Sequence, residues 1–242
     1  MYLTIQGIVL RVTDYNDKDA LLTMLPRRHG RLTVKARGLR RKNSPLIAPC
    51  QLLAYGEFTL FEYRGQYTIN EAQSIELFTP LRRDLTKLSL GTYFAQVSEV
   101  LSQEDMPNPE LQSLLLNCLY ALSKLDLPES QVKAVFELRA ACLSGYTPDL
   151  TGCQTPERFD LSAGMLECRN CRSPESNGIR MPVPPSVLEA MRYICYCDSK
   201  KLFSFQVGED TLQQLSEVTE AYLATQLERG FSTLDFYKSL LI

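Results

Sequence analysis

Residues 2–77 favour β-strands, and the segment 31–37 alternates between apolar and polar positions with a period of two, which is typical of a strand with one buried face. From residue 31 to residue 37 the odd positions are Arg, Thr, Lys and Arg, and the even positions are Leu, Val and Ala. Strands are predicted at 3–12, 20–25, 31–37, 52–63 and 66–75, with turns at His29-Gly30 and Arg64-Gly65. Five strands without a helical crossover predict a small antiparallel barrel. An OB-fold is expected, and an SH3-like barrel is the alternative.

After Pro80 the apolar spacing changes to three or four residues, which predicts amphipathic helices. They are expected at 85–101, 109–122, 128–143, 185–197 and 210–229, with Gly145 and Gly230 as stop signals. Residues 146–183 are rich in Pro, Gly, Ser, Asn and Cys and predict an insert. The predicted fold class is α+β, with an OB-fold DNA-binding domain at 1–79 and an α-helical domain at 80–242 that carries the small cysteine-bearing insert.

Composition places the chain among ordinary globular proteins. It has 242 residues, 45% of them hydrophobic and 22% charged, which is ample material for a core. No stretch approaches the roughly 18 apolar residues of a membrane span, and no signal peptide is visible. A cytoplasmic location is therefore expected. Eight cysteines then indicate thiols or metal ligands rather than a disulfide framework, and Cys118 and Cys142 fall in helical apolar patterns that predict burial.

Charge is distributed unevenly along the chain. Residues 1–80 contain 11 Lys and Arg against 7 Asp and Glu, whereas the remainder contains 15 against 21. A cationic strand face that continues into a basic loop can meet several backbone phosphates at once. A solubilising strand face is the alternative. The predicted DNA-binding residues are the eight cations of an interval without acidic residues: Arg27, Arg28, Arg31, Lys35, Arg37, Arg40, Arg41 and Lys42.

The sequence contains no recognisable catalytic constellation. Its single histidine, His29, lies in a turn among arginines, which does not suit a Ser-His-Asp or Cys-His mechanism. Neither G-x-x-x-x-G-K-[ST] nor G-x-G-x-x-G occurs, so no nucleotide cradle is recognisable. We therefore expect a protein that is not an enzyme.

Three cysteines in the insert form part of a zinc-binding pattern. Cys168 and Cys171 make a C-x2-C knuckle and Cys153 precedes them, but Pro156 stands where the first knuckle would have its second cysteine. Structural zinc takes four protein ligands. Three interpretations are open: a three-thiolate site, a site that has lost its metal, or a fourth ligand from elsewhere, namely Asp160, Cys195 or Cys197. The expected cofactor is one structural zinc ion or none.

With a β-barrel first, a helical domain next and a cysteine-bearing insert within it, the chain resembles the RecO family of bacterial recombination mediators. The resemblance rests on the basic strand and loop at 31–42, on Asn108-Pro109-Glu110-Leu111, and on the segment 145–150 before the insert. It covers essentially the whole chain. Pro156 is a departure from it, because zinc-bearing members of the family have a cysteine there, while other members lack the zinc ligands.

The resemblance implies a non-enzymatic, nucleoid-associated DNA repair protein. Such a protein binds single- and double-stranded DNA, anneals complementary strands, works with RecR, and binds the acidic C-terminal tail of single-strand-binding protein. It helps the RecA recombinase to displace that protein from single-stranded DNA. A protein-interaction scaffold whose basic barrel face docks an acidic partner is the alternative. A zinc-dependent enzyme is disfavoured, because no histidine lies near the cysteines.

The resemblance also suggests roles for the basic residues. Arg31, Lys35 and Arg37 would contact phosphates on the barrel face, with Arg27 and Arg28 at the rim. A mobile clamp would be formed by Arg40, Arg41 and Lys42. Two aromatic residues, Tyr63 and Tyr67, are expected either to stack on bases or to belong to the barrel core.

Overall fold

A computed structural model describes residues 1–151, 156–168 and 178–241 of the chain. The elements occur in an order that begins with strands and continues mainly with helices. The strands are β1 (Tyr2–Asp14), β2 (Ala20–Pro26), β3 (Leu32–Ala36), β4 (Tyr55–Tyr63), β5 (Gln66–Glu76), β6 (Arg158–Asp160), β7 (Met165–Glu167) and β8 (Arg180–Pro182). The helices are α1 (Leu85–Leu101), α2 (Pro109–Lys124), α3 (Glu129–Leu143), α4 (Pro185–Tyr196), α5 (Glu209–Gln226) and α6 (Ser232–Ser239).

The first five strands close into a barrel in the order β1-β2-β3-β5-β4. Strand β1 is long enough to pair with both β2 and β4, and a bulge between Val9 and Arg11 bends it. Strands β3 and β5 run parallel, whereas the other barrel ladders are antiparallel. This five-stranded closure is the arrangement of an OB-fold, so the predicted fold class is confirmed.

The barrel core includes the fully buried side chains of Leu22, Val34 and Phe58. The neighbours of Val34 and Phe58 along their strands are more exposed, whereas β2 is buried without interruption from Leu22 to Pro26. Burying an aliphatic or aromatic side chain of this size contributes about 1.5 to 3 kcal/mol. Gly56 permits the close approach of β4 to β5, because a Cβ there would lie 2.6 Å from the Gln73 carbonyl oxygen.

The chain divides into two compact units, residues Met1–Leu125 with Phe231–Ile242, and Asp126–Gly230. The first contains the barrel, α1 and α2, and the chain returns to it at its end through α6. Helix α6 packs on α1, with the Tyr93 and Phe231 rings 5.5 Å apart and Thr233 Oγ1 donating to Gln96 Oε1 at 2.5 Å. In the described part of the chain, no helix combines the length and apolar character needed to cross a membrane.

The second unit combines α3, α4 and α5 with a three-stranded sheet of order β7-β6-β8. The sheet lies in the segment that the sequence predicts as a loop-rich insert. Its strands have three residues each, too few to show a period of two. Phe159 on β6 is fully buried, with its ring 5.2 Å from that of Tyr222, so the insert contributes to a core.

A buried charge cluster also lies in this unit. Lys133 Nζ lies 3.1 Å from Glu137 Oε1 and 2.9 Å from Glu220 Oε2, and Thr219 Oγ1 donates to Glu137 Oε2 at 2.9 Å. Burial raises the pKa of the Glu137 carboxyl and outweighs the effect of Lys133, which lowers it. Burial by itself lowers the pKa of Lys133, but the two carboxylates outweigh it and the pKa is raised. The contribution of this cluster to the stability of the unit therefore depends on all of its members being present.

Candidate nucleic-acid interface

Strand β3 presents a cationic outer face beside the β1–β2 turn. Val34 and Ala36 are fully buried, while Lys35 between them points outward. Lys35 Nζ lies 3.3 Å from Asp19 Oδ2 and 4.5 Å from the centroid of the Tyr15 ring, which is 56% exposed. The predicted alternation is thus present, and it brings a cation and an exposed aromatic ring together on one surface.

Asp19 holds the basic loop after β3 against the β1–β2 turn. Its Oδ1 accepts a hydrogen bond from the Gly38 N–H at 2.8 Å. That bond, together with Asn16 and Lys35, lowers the pKa of the Asp19 carboxyl against the smaller opposing effect of burial. The loop is held a second time by Arg40, whose N–H donates to the Lys18 carbonyl oxygen at 3.1 Å. Both contacts are made by backbone N–H groups of the loop, so they hold the loop in place without using its charged side chains.

Three cations of this region project into solvent. Arg37, Arg41 and Lys42 are exposed, and within the described residues no carboxylate oxygen pairs with them. Arg40 differs, because its Nη1 lies 2.9 Å from Asp14 Oδ2, although its side chain is still 46% exposed. We name the set Lys35, Arg37, Arg40, Arg41 and Lys42 the loop cluster.

The barrel register extends the loop cluster toward exposed aromatic residues. Lys35 pairs across the sheet with Thr68, Thr68 with Phe61, and Phe61 with Tyr2. Paired positions point to the same side of a sheet. The Tyr2 and Phe61 rings are 5.3 Å apart and are 63% and 40% exposed. The outer barrel surface thus places aromatic rings two strands away from Lys35.

The β4–β5 turn adds a cation and an aromatic ring that the sequence analysis did not single out together. The Arg64 guanidinium lies 5.2 Å from the centroid of the Tyr63 ring, which is 58% exposed. Thr68 is three residues beyond Gly65, so this turn lies roughly 10 Å along the strand from the level of Lys35. Tyr67, by contrast, packs partly against the barrel core. OB-folds bind oligonucleotides with the faces of strands 2 and 3 and with the β1–β2 and β4–β5 turns.

Lys18, in the β1–β2 turn, is a further exposed cation that sequence reasoning missed. Its position was available from the OB-fold topology, because the turns after strands 1 and 4 flank the binding face. The DNA-binding residues were predicted from the density of positive charge along the chain. An isolated lysine or arginine in a turn contributes little to that density. Arg64 was missed for the same reason.

Arg31 has a different environment from the loop cluster. Its Nη1 donates to the Glu99 carbonyl oxygen in the last turn of α1 at 2.8 Å, and its Nη2 lies 3.6 Å from Glu104 Oε1. The backbone is equally close, since a Cβ at Gly30 would collide with the Glu104 carbonyl group. A cation at a helix C-terminus interacts favourably with the unpaired carbonyl groups there. Arg31 therefore links the start of β3 to the end of α1.

Arg27 and Arg28 lie at the other end of the barrel from the β1–β2 turn. Strand β2 runs from Ala20, beside that turn, to Pro26, which is roughly 20 Å in an extended chain. There the two exposed arginines line a separate cleft of about 320 Å³. The cleft is also lined by Thr4, Ile5, Gln6, His29 and Glu57. The eight predicted DNA-binding residues are thus divided among three places.

Replacing Arg31 with alanine is expected to affect stability rather than DNA binding. Losing a charged hydrogen bond from a side chain that is 26% exposed should lower the free energy of unfolding by about 1 to 2 kcal/mol. Urea denaturation measures this change. The slope of log K against log salt should stay within about 0.3 of the wild-type value. A slope reduced by about 0.7 would instead identify Arg31 as a phosphate contact.

The candidate zinc ligands are only partly within the described residues. Cys153 and Cys171 lie outside them, whereas Cys168 follows β7 and is half-buried. Asp160, one of the alternative fourth ligands, accepts hydrogen bonds from the Ser162 and Ala163 N–H groups at 2.9 and 3.0 Å. Within the described residues, no group of three or more His, Cys, Asp or Glu side chains is placed to hold a metal. Zinc stays a prediction, which native mass spectrometry can test.

Comparison with known proteins matches nearly the whole chain. Residues 1–78 match the family profile described as Recombination protein O N terminal, and residues 82–235 match Recombination protein O C terminal. DNA repair protein RecO of Acetivibrio thermocellus is 33% identical over 99% of this chain and 97% of its own length. The RecO proteins of Alkaliphilus metalliredigens and Bacillus subtilis are 29% and 27% identical, over 99% and 90% of this chain and 100% and 86% of their own lengths. The chain therefore belongs to the recombination protein O family.

Proposed function

We propose that this protein is a DNA-binding recombination mediator that acts in DNA repair without catalysing a reaction. The observation that carries the proposal is the loop cluster, five cations on the outer face of β3 and in the loop that follows it, beside the exposed ring of Tyr15. The names of its relatives, DNA repair protein RecO, support a role in repair.

The proposed mode of binding is electrostatic, with base stacking as a second contribution. Arg37, Arg41 and Lys42 meet backbone phosphates directly, because nothing acidic has to be displaced from them among the described residues. Lys35 and Arg40 contribute by exchanging Asp19 and Asp14 for phosphate. Exposed rings such as Tyr15 and Tyr63 stack on unpaired bases. This combination is tolerant of sequence and suits a protein that binds single strands of any composition.

The proposed function also includes steps beyond DNA binding, which the membership of the recombination protein O family supports. A protein that neutralises phosphates on two complementary strands reduces their repulsion, so it promotes annealing. With RecR, it helps to load RecA onto single-stranded DNA that is covered by single-strand-binding protein, whose acidic C-terminal tail it binds. We also propose one structural zinc ion in the insert, held by Cys153, Cys168 and Cys171 with a fourth ligand that is not assigned.

Fluorescence anisotropy with a labelled single-stranded oligonucleotide tests the proposal. If the five loop-cluster cations each meet a phosphate, log K should fall against log salt with a slope of roughly −3 to −4, at about 0.7 per contact. Affinity should be nearly equal for oligonucleotides of different sequence. An acidic peptide of equal charge should compete weakly. A protein that binds the peptide but not DNA would instead support a scaffold that docks an acidic partner.

A further inference from the structure

Two cysteines from different helices face each other in the second unit. Cys142 lies in the last turn of α3 and Cys195 in the last turn of α4. Their Sγ atoms are 3.6 Å apart, although the residues are 53 positions apart in the sequence. The sequence predicted burial for Cys142, but this residue is half-buried, whereas Cys195 is only 7% exposed. The pair therefore joins a half-buried residue to one that is almost fully buried.

The backbone around the two sulfurs is held in place by Arg139, one turn before Cys142. Its Nη1 donates to the Ile194 carbonyl oxygen at 3.1 Å and to the Cys195 carbonyl oxygen at 2.5 Å. A guanidinium group satisfies the free carbonyl groups at the end of α4 and interacts favourably with the helix dipole. The contact between the two sulfurs thus belongs to an ordered helix–helix contact.

We propose that Cys142 and Cys195 form a reversible disulfide bond when a peroxide or a small-molecule disulfide oxidises the protein. Closing the bond shortens the Sγ–Sγ distance from 3.6 Å to about 2.05 Å. The two sulfurs therefore have to approach each other by roughly a further 1.5 Å through rotation of the side chains. The bond would covalently join the last turns of α3 and α4 and close the loop that contains the insert.

The environment assigns different roles to the two thiols. Cys142 is half-buried whereas Cys195 is almost fully buried, so an oxidant in solvent reaches Cys142 first. Accessible thiolate is the form that attacks an oxidant. Cys142 is therefore the attacking residue and Cys195 the resolving residue. Cys50 is a contrast within the same chain, because burial raises the pKa of its thiol to about 12.

With hydrogen peroxide the atoms and electrons balance in two steps. The Cys142 thiolate attacks one peroxide oxygen, the O–O bond breaks, and the hydroxide that leaves takes up a proton to become water. This leaves Cys142 as a sulfenic acid. The Cys195 thiol then attacks that sulfur, the S–O bond breaks, and a second water leaves with the thiol proton. Two thiols are oxidised by two electrons in all, and one peroxide is reduced to two waters.

Peptide mass spectrometry of the full-length protein tests this proposal. The protein is reduced, freed of reductant, treated with one equivalent of hydrogen peroxide, and alkylated with N-ethylmaleimide. The expected product is a Cys142–Cys195 disulfide that dithiothreitol reverses. In Cys195→Ser, dimedone should label Cys142 as the trapped sulfenic acid. In Cys142→Ser, Cys195 should remain reduced. The matched control Cys118→Ser, which changes a buried cysteine, should form the disulfide as the wild type does.

The wild-type measurement decides the question even if a serine variant fails to fold. Recovery of Cys142 and Cys195 as alkylated thiols after all the peroxide has reacted would overturn the proposal. A bond from Cys142 to Cys197 in place of Cys195 would overturn it equally. The proposal does not depend on DNA binding, so the result is independent of the function proposed above.

Discussion

Replacing Arg37, Arg41 and Lys42 together with alanine is expected to lower the affinity for single-stranded DNA about a hundredfold at about 0.1 M salt. The three side chains are exposed and have no acidic partner in the described part of the chain, so phosphate would be their main binding partner. Three lost contacts at about 0.7 each should also reduce the slope of log K against log salt by about two. Anisotropy titrations over a range of salt concentrations measure both quantities.

A charge-matched variant makes this experiment specific. Lys124, Lys200 and Lys201 are also exposed but lie outside the barrel. Replacing these three with alanine removes the same charge and should leave the slope unchanged. Equal losses in the two variants would show that only net charge matters, and the loop cluster would then have no special role. Both variants should unfold within about 0.5 kcal/mol of the wild type, because surface substitutions of this kind are nearly neutral.

Replacing Lys133 with alanine is expected to lower the free energy of unfolding by about 3 to 5 kcal/mol. The substitution leaves the Glu137 carboxylate fully buried without the Lys133 cation, and Glu220 loses its ion pair with Lys133 as well. An unpaired buried charge costs much more than an ion pair contributes. Denaturant unfolding followed by circular dichroism measures the loss.

Two further variants separate this effect from a general sensitivity of the helices. Glu189→Ala removes an exposed partner, 78% accessible and 3.8 Å from Arg192, and should cost less than about 1 kcal/mol. The double variant Lys133→Met with Glu137→Gln removes both buried charges and should recover part of the loss. If Lys133→Ala unfolds no more easily than Glu189→Ala, the cluster does not stabilise the unit as its burial implies.

The cationic face of β3 illustrates what an alternating pattern predicts well. Strand periodicity depends on local geometry, since successive side chains point to opposite sides of a strand. Leu32, Val34 and Ala36 were therefore assigned inward and Lys35 outward from the sequence, and the structure places them so. The OB-fold followed from the number and order of strands, and it is confirmed.

The grouping of the eight cations could not be predicted in this way. Arg27 and Lys42 are fifteen positions apart in the sequence, but the length of β2 separates Arg27 and Arg28 from the loop cluster by roughly 20 Å. Arg31 is bound to the end of α1 through Glu99, 68 positions away. Ion pairs and helix-end contacts of this kind depend on residues that only folding brings together. The pattern of charges along the chain therefore does not predict these contacts.

The sequence by itself determined the five barrel strands and helices α1 to α5, because these depend on periodicity, capping and turn residues that act over a few positions. It also determined which interval carries the positive charge. Only the tertiary structure decided which cations are available for phosphate, that Cys142 faces Cys195, and that α6 returns to the first unit. The physical reason is that these features depend on distances between residues far apart in sequence, and those distances are set by how the elements pack.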